Sequence, residues 1–231
     1  METKDVNKLN IKVLAKLGVD SKDIAKIYLE ITEKGKDISK DTYINNLTEM
    51  LKFFQTRNNN INNSNDEAIY KDDVLKMIKA NKKLVGLDID KKIKPICQKI
   101  DSYYFMNPGY TNKLIKRNPK IFNINNLDLE IYSIVLSNFA IKIDGQVINL
   151  LEYIIKQKSE FLENDVQKIY GRIMYLSNNK DSKLFTKEEI DEIESKTFVK
   201  TERELREKYK LPIYNGEGIE IYSKKVLENI K

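Results

Sequence analysis

The sequence predicts an all-α fold, a solenoid of two-helix repeats of about 37 residues. Three observations predict it. Lys, Glu, Ile, Leu and Asn dominate, while only 8 Gly and 4 Pro serve 231 residues, too few for a sandwich of many tight turns. Apolar residues recur at helical spacing along most of the chain. A basic turn followed by an apolar residue returns at near-constant intervals. The hydrophobic content of 41% is enough for a core.

From Val6 to Leu17 the apolar stripe Leu9, Val13, Leu14 and Leu17 predicts a helix that Gly18 ends in a left-handed cap. Asp20 N-caps a second helix carrying Ile24, Ile27, Tyr28 and Ile31, which closes in the turn Lys34 to Ile38. Ser39 caps the next helix, with Ile44, Leu47, Met50, Leu51 and Phe54 on one face. Residues 57–66 are rich in Asn and poor in apolar side chains, so burial cannot offset the entropy of ordering them. They read as an exposed loop, either a hinge or a long connection inside one array.

Tyr70 to Ala80 resumes the helical pattern through Val74, Leu75 and Ile78; Lys79-Ala80-Asn81-Lys82-Lys83-Leu84 interrupts it, and Asp88 starts a helix with Ile93, Ile96 and Ile100. After Asn107-Pro108-Gly109 a short helix with Leu114 and Ile115 enters Lys116-Arg117-Asn118-Pro119-Lys120-Ile121-Phe122, and Leu127 to Phe139 supplies its partner. Asp144 or Gly145 is expected to start a helix running through Val147, Leu150, Leu151, Ile154 and Ile155, with Lys156 to Leu162 as the turn and Val166 to Leu176 as the second helix. Capping-box patterns at Thr186 and Thr201 place two short helices around Ser195-Lys196-Thr197-Phe198-Val199. Beyond Leu211-Pro212 the chain alternates around Asn215-Gly216-Glu217-Gly218, which reads as a small C-terminal hairpin or as an irregular tail covering the end of the array. The repeats therefore occupy 1–209 and the capping tail 210–231.

The first apolar residues after each turn are Ile38, Leu84, Ile121, Phe161 and Phe198, at intervals of 46, 37, 40 and 37 residues. The long interval contains the Asn-rich loop. Units of this size cannot bury their apolar faces alone and stack to do so.

Lys116-Arg117-Asn118-Pro119-Lys120-Ile121-Phe122 resembles the helix-connecting turn of the mitochondrial transcription termination factor (mTERF) family. Lys79-Ala80-Asn81-Lys82-Lys83-Leu84 resembles it without the proline, and Leu17-Gly18-Val19-Asp20-Ser21-Lys22-Asp23-Ile24 is similar to that family's entry into a unit. The resemblance spans roughly residues 12–209. It implies a curved all-α superhelix whose basic concave face follows nucleic acid, with duplex DNA the polymer it favours.

The charge distribution points the same way independently. The turns Lys34–Ile38, Lys79–Lys83, Lys116–Lys120, Lys156–Glu160 and Lys196–Lys200 carry +1, +3, +3, +1 and +2, and the rest of the chain carries −4 within a total of +6. Stacking would line these cations into a stripe suited to a phosphate backbone; lysines near helix C-termini also satisfy the helix dipole. The candidate nucleic-acid ligands are Lys79, Lys82, Lys83, Lys116, Arg117, Lys120, Lys156, Lys158, Lys196 and Lys200.

Histidine is absent, which removes the commonest general base, the usual zinc ligand and every Ser-His or Cys-His nucleophile. The one cysteine, Cys97, reads as a buried inert thiol. Glu188, Glu189, Asp191, Glu192 and Glu194 suit an exposed helix face, Asp88 an N-cap, and Asn215 to Gly218 a turn without the ending of a nucleotide loop. Tyr103, Tyr104, Phe105 and Tyr110 crowd one junction, where they pack or stack on bases. Met1 to Asp5 lacks an apolar signal core and no stretch reaches the ~18 apolar residues of a membrane span, so the expectation is a cytoplasmic chain with no membrane, metal or cofactor.

These readings converge on a non-enzymatic nucleic-acid-binding repeat protein with DNA or RNA as partner. The alternative is a protein-binding repeat module, such as a phage- or plasmid-encoded inhibitor or adaptor docking on a nucleic-acid-handling complex.

Overall fold

Local capping chemistry sets the helix boundaries. In the computed structural model, which describes residues 14–16, 18–32, 39–59, 61, 67–103, 108–179 and 183–230, the chain is mostly helical. It divides into two compact units, Met1–Asn123 and Ile124–Lys231. The expected turn Lys34–Ile38, the apolar residues Leu9, Val13 and Leu17, and Tyr104 and Phe105 lie outside the described residues.

In the first unit, Gly18 ends a helical turn at φ +79°, with Val19 N–H donating to the Leu14 carbonyl at 2.9 Å, the six-to-one bond of a glycine cap. Asp20 accepts from Asp23 N–H at 2.8 Å and opens α1 (Ser21–Thr32); Ser39 accepts from Thr42 N–H at 3.1 Å and opens α2 (Lys40–Asn58). Then come α3 (Lys71–Ala80), a π-helical turn Ile89–Ile93 leading into α4 (Lys94–Tyr103), and α5 (Pro108–Arg117).

The second unit contains α6 (Asn126–Ser137), β1 (Ala140–Ile143), β2 (Gln146–Asn149), α7 (Leu150–Gln157), α8 (Val166–Asn178), β3 (Leu184–Phe185), α9 (Lys187–Glu194), α10 (Glu202–Lys208) and α11 (Ile219–Ile230). The sheet order is β2-β1-β3, with β2 antiparallel and β3 parallel to β1.

One local pattern recurs in both units. A helix ends at Asn81, Asn118 or Lys158, whose N–H donates to the carbonyl four residues back at 2.8–2.9 Å, and a 3-10 turn follows at Lys82–Gly86, Pro119–Asn123 and Ser159–Glu163. Each turn buries two consecutive apolar side chains: Leu84 and Val85, Ile121 and Phe122, Phe161 and Leu162. Asp88, Asn125 and Asp165 then cap the next helix, each accepting from the N–H three residues on at 2.7–2.8 Å. The fourth member lacks the 3-10 turn: Ser195 to Lys200 is irregular, Phe198 is buried and Thr201 caps α10 in a capping box. Carbonyls in or just after these turns are met by side chains from one helix further back than the helix entering the turn, Asn46 Nδ2 of α2 on Val85 O at 2.7 Å and Tyr132 Oη of α6 on Asn164 O at 3.0 Å.

Three expectations are corrected. Asp144 and Gly145 start no helix; they form the two-residue turn between β1 and β2 at φ +48° and +81°, and α7 begins only at Leu150, capped by Asn149. Val147 is therefore a strand residue, 64% exposed. The C-terminal hairpin is replaced by α11, because Tyr222, Val226 and Ile230, spaced by four, bury one helical stripe against α6 while Ile219 and Ile221 stay exposed. The predicted exposed loop begins too early: Arg57 and Asn58 still belong to α2, Arg57 is buried, and Asn58 exchanges hydrogen bonds with the backbone of Ile69 at 2.7 and 2.9 Å.

Candidate nucleic-acid interface

The second residue of each 3-10 turn faces solvent because the two residues after it are committed to the core. That position is Lys83, Lys120 and Glu160 in successive copies, and Thr197 stands there in the fourth. The same 3-10 turn thus presents a cation twice in the first unit and a carboxylate in the second, and the irregular fourth member presents a hydroxyl. Whole-unit charge follows suit: Met1–Asn123 holds 24 Lys and Arg against 16 Asp and Glu, a formal +8, and Ile124–Lys231 holds 17 against 19, a formal −2.

Within the first unit the two turns are bonded directly. Asn81 Nδ2 donates to the Pro119 carbonyl at 2.9 Å and to Asn123 Oδ1 at 3.2 Å, so the Lys82–Lys83 and Lys120 segments are neighbours. Lys79, Lys83, Arg117 and Lys120 are exposed and Lys82 is half-buried. Lys116 is also half-buried, and its ammonium donates to the Ala68 carbonyl at 3.0 Å, which makes it a tie to the segment before α3.

In the second unit most of the expected ligands are occupied. Lys158, at the position of Asn81 and Asn118, is a strut that reaches Asp191 at 2.7 Å and Glu194 on α9. Burial opposes its charge, but hydrogen bonds to both carboxylates outweigh that and hold the ammonium above its ordinary range. Lys156 pairs with Glu152, and Lys200 with Glu204 at 3.8 Å; Lys196 is exposed. Arg172, midway along α8, fixes the fourth turn from beneath: Nη1 donates to the carbonyls of Ile193 and Ser195 at 2.6 Å, and the guanidinium lies 4.8 Å over the Phe198 ring.

A groove of about 570 Å³ opens beside the first turn, lined by Phe53 and Thr56 of α2, Gly86 of the turn, the cap residue Asp88, and Ile89 and Asp90 of the π-helical turn. Asn45, Asn46, Glu49, Lys52 and Lys94 complete its walls, and both lysines are paired there, Lys52 with Glu49 at 2.9 Å and Lys94 with Asp90.

Local sequence carries no sign of the buried polar cluster of the first unit. Arg57 spans both Asp101 oxygens at 2.5 and 2.7 Å and donates from Nε to Asn112 Oδ1 at 2.7 Å, while Thr111 Oγ1 donates to Asp101 at 2.5 Å. It joins the C-terminal ends of α2 and α4 to the start of α5. Burial pushes the Cys97 thiol up to about 12, offset in part by Arg57, so it stays protonated at neutral pH. Tyr110 is exposed with the Lys113 ammonium 6.0 Å from its ring centre.

Among the described residues there is no group of three or more His, Cys, Asp or Glu placed to hold a metal ion, and no helix long and apolar enough to cross a membrane. Comparison with protein-family models, curated proteins and solved structures gives no match for this chain.

Proposed function

We propose that the chain is a nucleic-acid-binding helical repeat protein without catalytic chemistry, whose contact surface is the pair of basic turns in the first unit. The observation that carries this is the turn position filled by Lys83 and Lys120 there and by Glu160 and Thr197 in the second unit. A solvated helix end has no need to sort charge by unit; a phosphate-binding surface does. Lys79, Lys83, Arg117 and Lys120 contact phosphates, Lys82 supports them, and the repeats stack as in the mTERF-like superhelix that the turn sequences resemble. Lys116, Lys156, Lys158 and Lys200 serve the fold.

Two charge-neutralised variants test it. Replacing Lys79, Lys83, Arg117 and Lys120 by Gln should weaken binding of a labelled oligonucleotide at least tenfold, measured by fluorescence anisotropy with circular dichroism as the control for folding. Replacing Lys156, Lys196 and Lys200 by Gln should leave it within twofold. Equal effects, or no binding by the unmodified chain at low salt, would discard this surface in favour of a protein-binding module.

A further inference from the structure

We infer that the groove beside the first turn receives an unpaired nucleobase, so that the polymer held by the first unit is single-stranded or locally unpaired; this rests on the nucleic-acid reading above. A volume of about 570 Å³ is ample for one base with its sugar. The lining matches a base in kind: the half-buried Phe53 and Ile89 offer apolar surface to a flat ring, and Asn45, Glu49 and Thr56 offer donors and acceptors to its edge.

Charge sorts the two parts of a nucleotide. Glu49, Asp88 and Asp90 line the groove, and the two lysines there are paired with Glu49 and Asp90, so a phosphate is repelled from the interior. The cations that attract phosphate, Lys82 and Lys83, lie in the adjoining turn. A chain whose phosphates rest on that turn can direct a base into the groove only when the base is not already paired in a duplex.

Gly86 is the independent sign. It ends the turn and lines the groove, a Cβ built there would meet nothing within 4 Å, and its φ is not in the left-handed range. Neither packing nor backbone conformation calls for glycine, and its missing side chain leaves the passage from turn to groove open.

The experiment uses the full chain and three probes of one sequence: a labelled single strand, its duplex, and the duplex with a one-base bulge. The single strand and the bulged duplex should bind roughly tenfold or more tighter than the perfect duplex. Phe53→Ala should remove that preference by weakening the first two while leaving the duplex unchanged. Gly86→Leu, which fills the groove at a position with room for a side chain, should do the same and guards against simple loss of packing at Phe53. Equal affinity for single strand and duplex, or an undiminished preference in Gly86→Leu, would overturn the base site while leaving the phosphate surface standing. Failure of all three probes to bind would overturn both.

Discussion

At the scale of single residues, the side chains that matter most found their partners at long range. Arg57 stands just past the apolar stripe that ends at Phe54 and precedes an Asn-rich run, so local sequence presents it as the start of a loop; its partners are Asp101 and Asn112, 44 and 55 residues away. Periodicity carries no signal for such a pairing. Lys158 is the same case at the surface, a turn lysine whose fate was decided by Asp191 and Glu194. The caps, by contrast, were legible at Asp20, Ser39, Thr186 and Thr201 because a cap is satisfied within three residues of itself. The bidentate Arg57–Asp101 pair is buried, so removing one member leaves an uncompensated charge in the core. Asp101→Asn should cost about 3–5 kcal/mol in urea unfolding. The double variant Arg57→Met, Asp101→Leu should recover much of that loss, whereas equal destabilisation by both would show that the geometry of the pair, not its charge balance, holds α2, α4 and α5 together.

Elements divide by how far their signal reaches. The 3-10 turns were visible as a basic stretch ahead of an apolar pair, since the same backbone needs the same two buried residues each time. The hairpin departs from the expected helix although it carries a strong local mark: Asp144-Gly145 sits between Ala140-Ile141-Lys142-Ile143 and Gln146-Val147-Ile148-Asn149. The apolar residues from Val147 to Ile155 resemble one long helix, and Asn149, which accepts from the N–H of Leu151 at 3.0 Å, is the residue that divides strand from helix. α11 is hidden for the opposite reason, its alternating start masking the four-residue spacing of Tyr222, Val226 and Ile230. Because Gly145 holds φ +81°, Gly145→Val should cost about 1–2 kcal/mol of stability. Gly145→Asn, which tolerates the left-handed region, should cost less in the same melting experiment. Equal losses would mean that the missing glycine flexibility, not the side-chain branch, matters at this turn.

The whole molecule is where the sequence reading and the structure part most usefully. A formal +6 spread over 231 residues suggests one basic stripe; divided at Asn123 it becomes +8 and −2, and the phosphate surface proposed above draws on the cations of two adjoining turns in place of all ten. Sequence alone showed the five turns and their charges but not where the chain divides into two units. Counterion release turns that distinction into a number. Each phosphate neutralised on a single strand contributes about −0.7 to the slope of log affinity against log salt. About four contacts predict a slope near −3, and affinity should fall roughly fifty-fold as salt rises from about 50 to 200 mM. The full stripe of ten would give a slope near −7 and a loss of about four orders of magnitude over the same range. A salt titration of single-strand binding by anisotropy separates the two. Lys83→Gln or Lys120→Gln should each lower the steepness by about 0.7, and Lys158→Gln should leave it unchanged, because its ammonium is already held by two carboxylates.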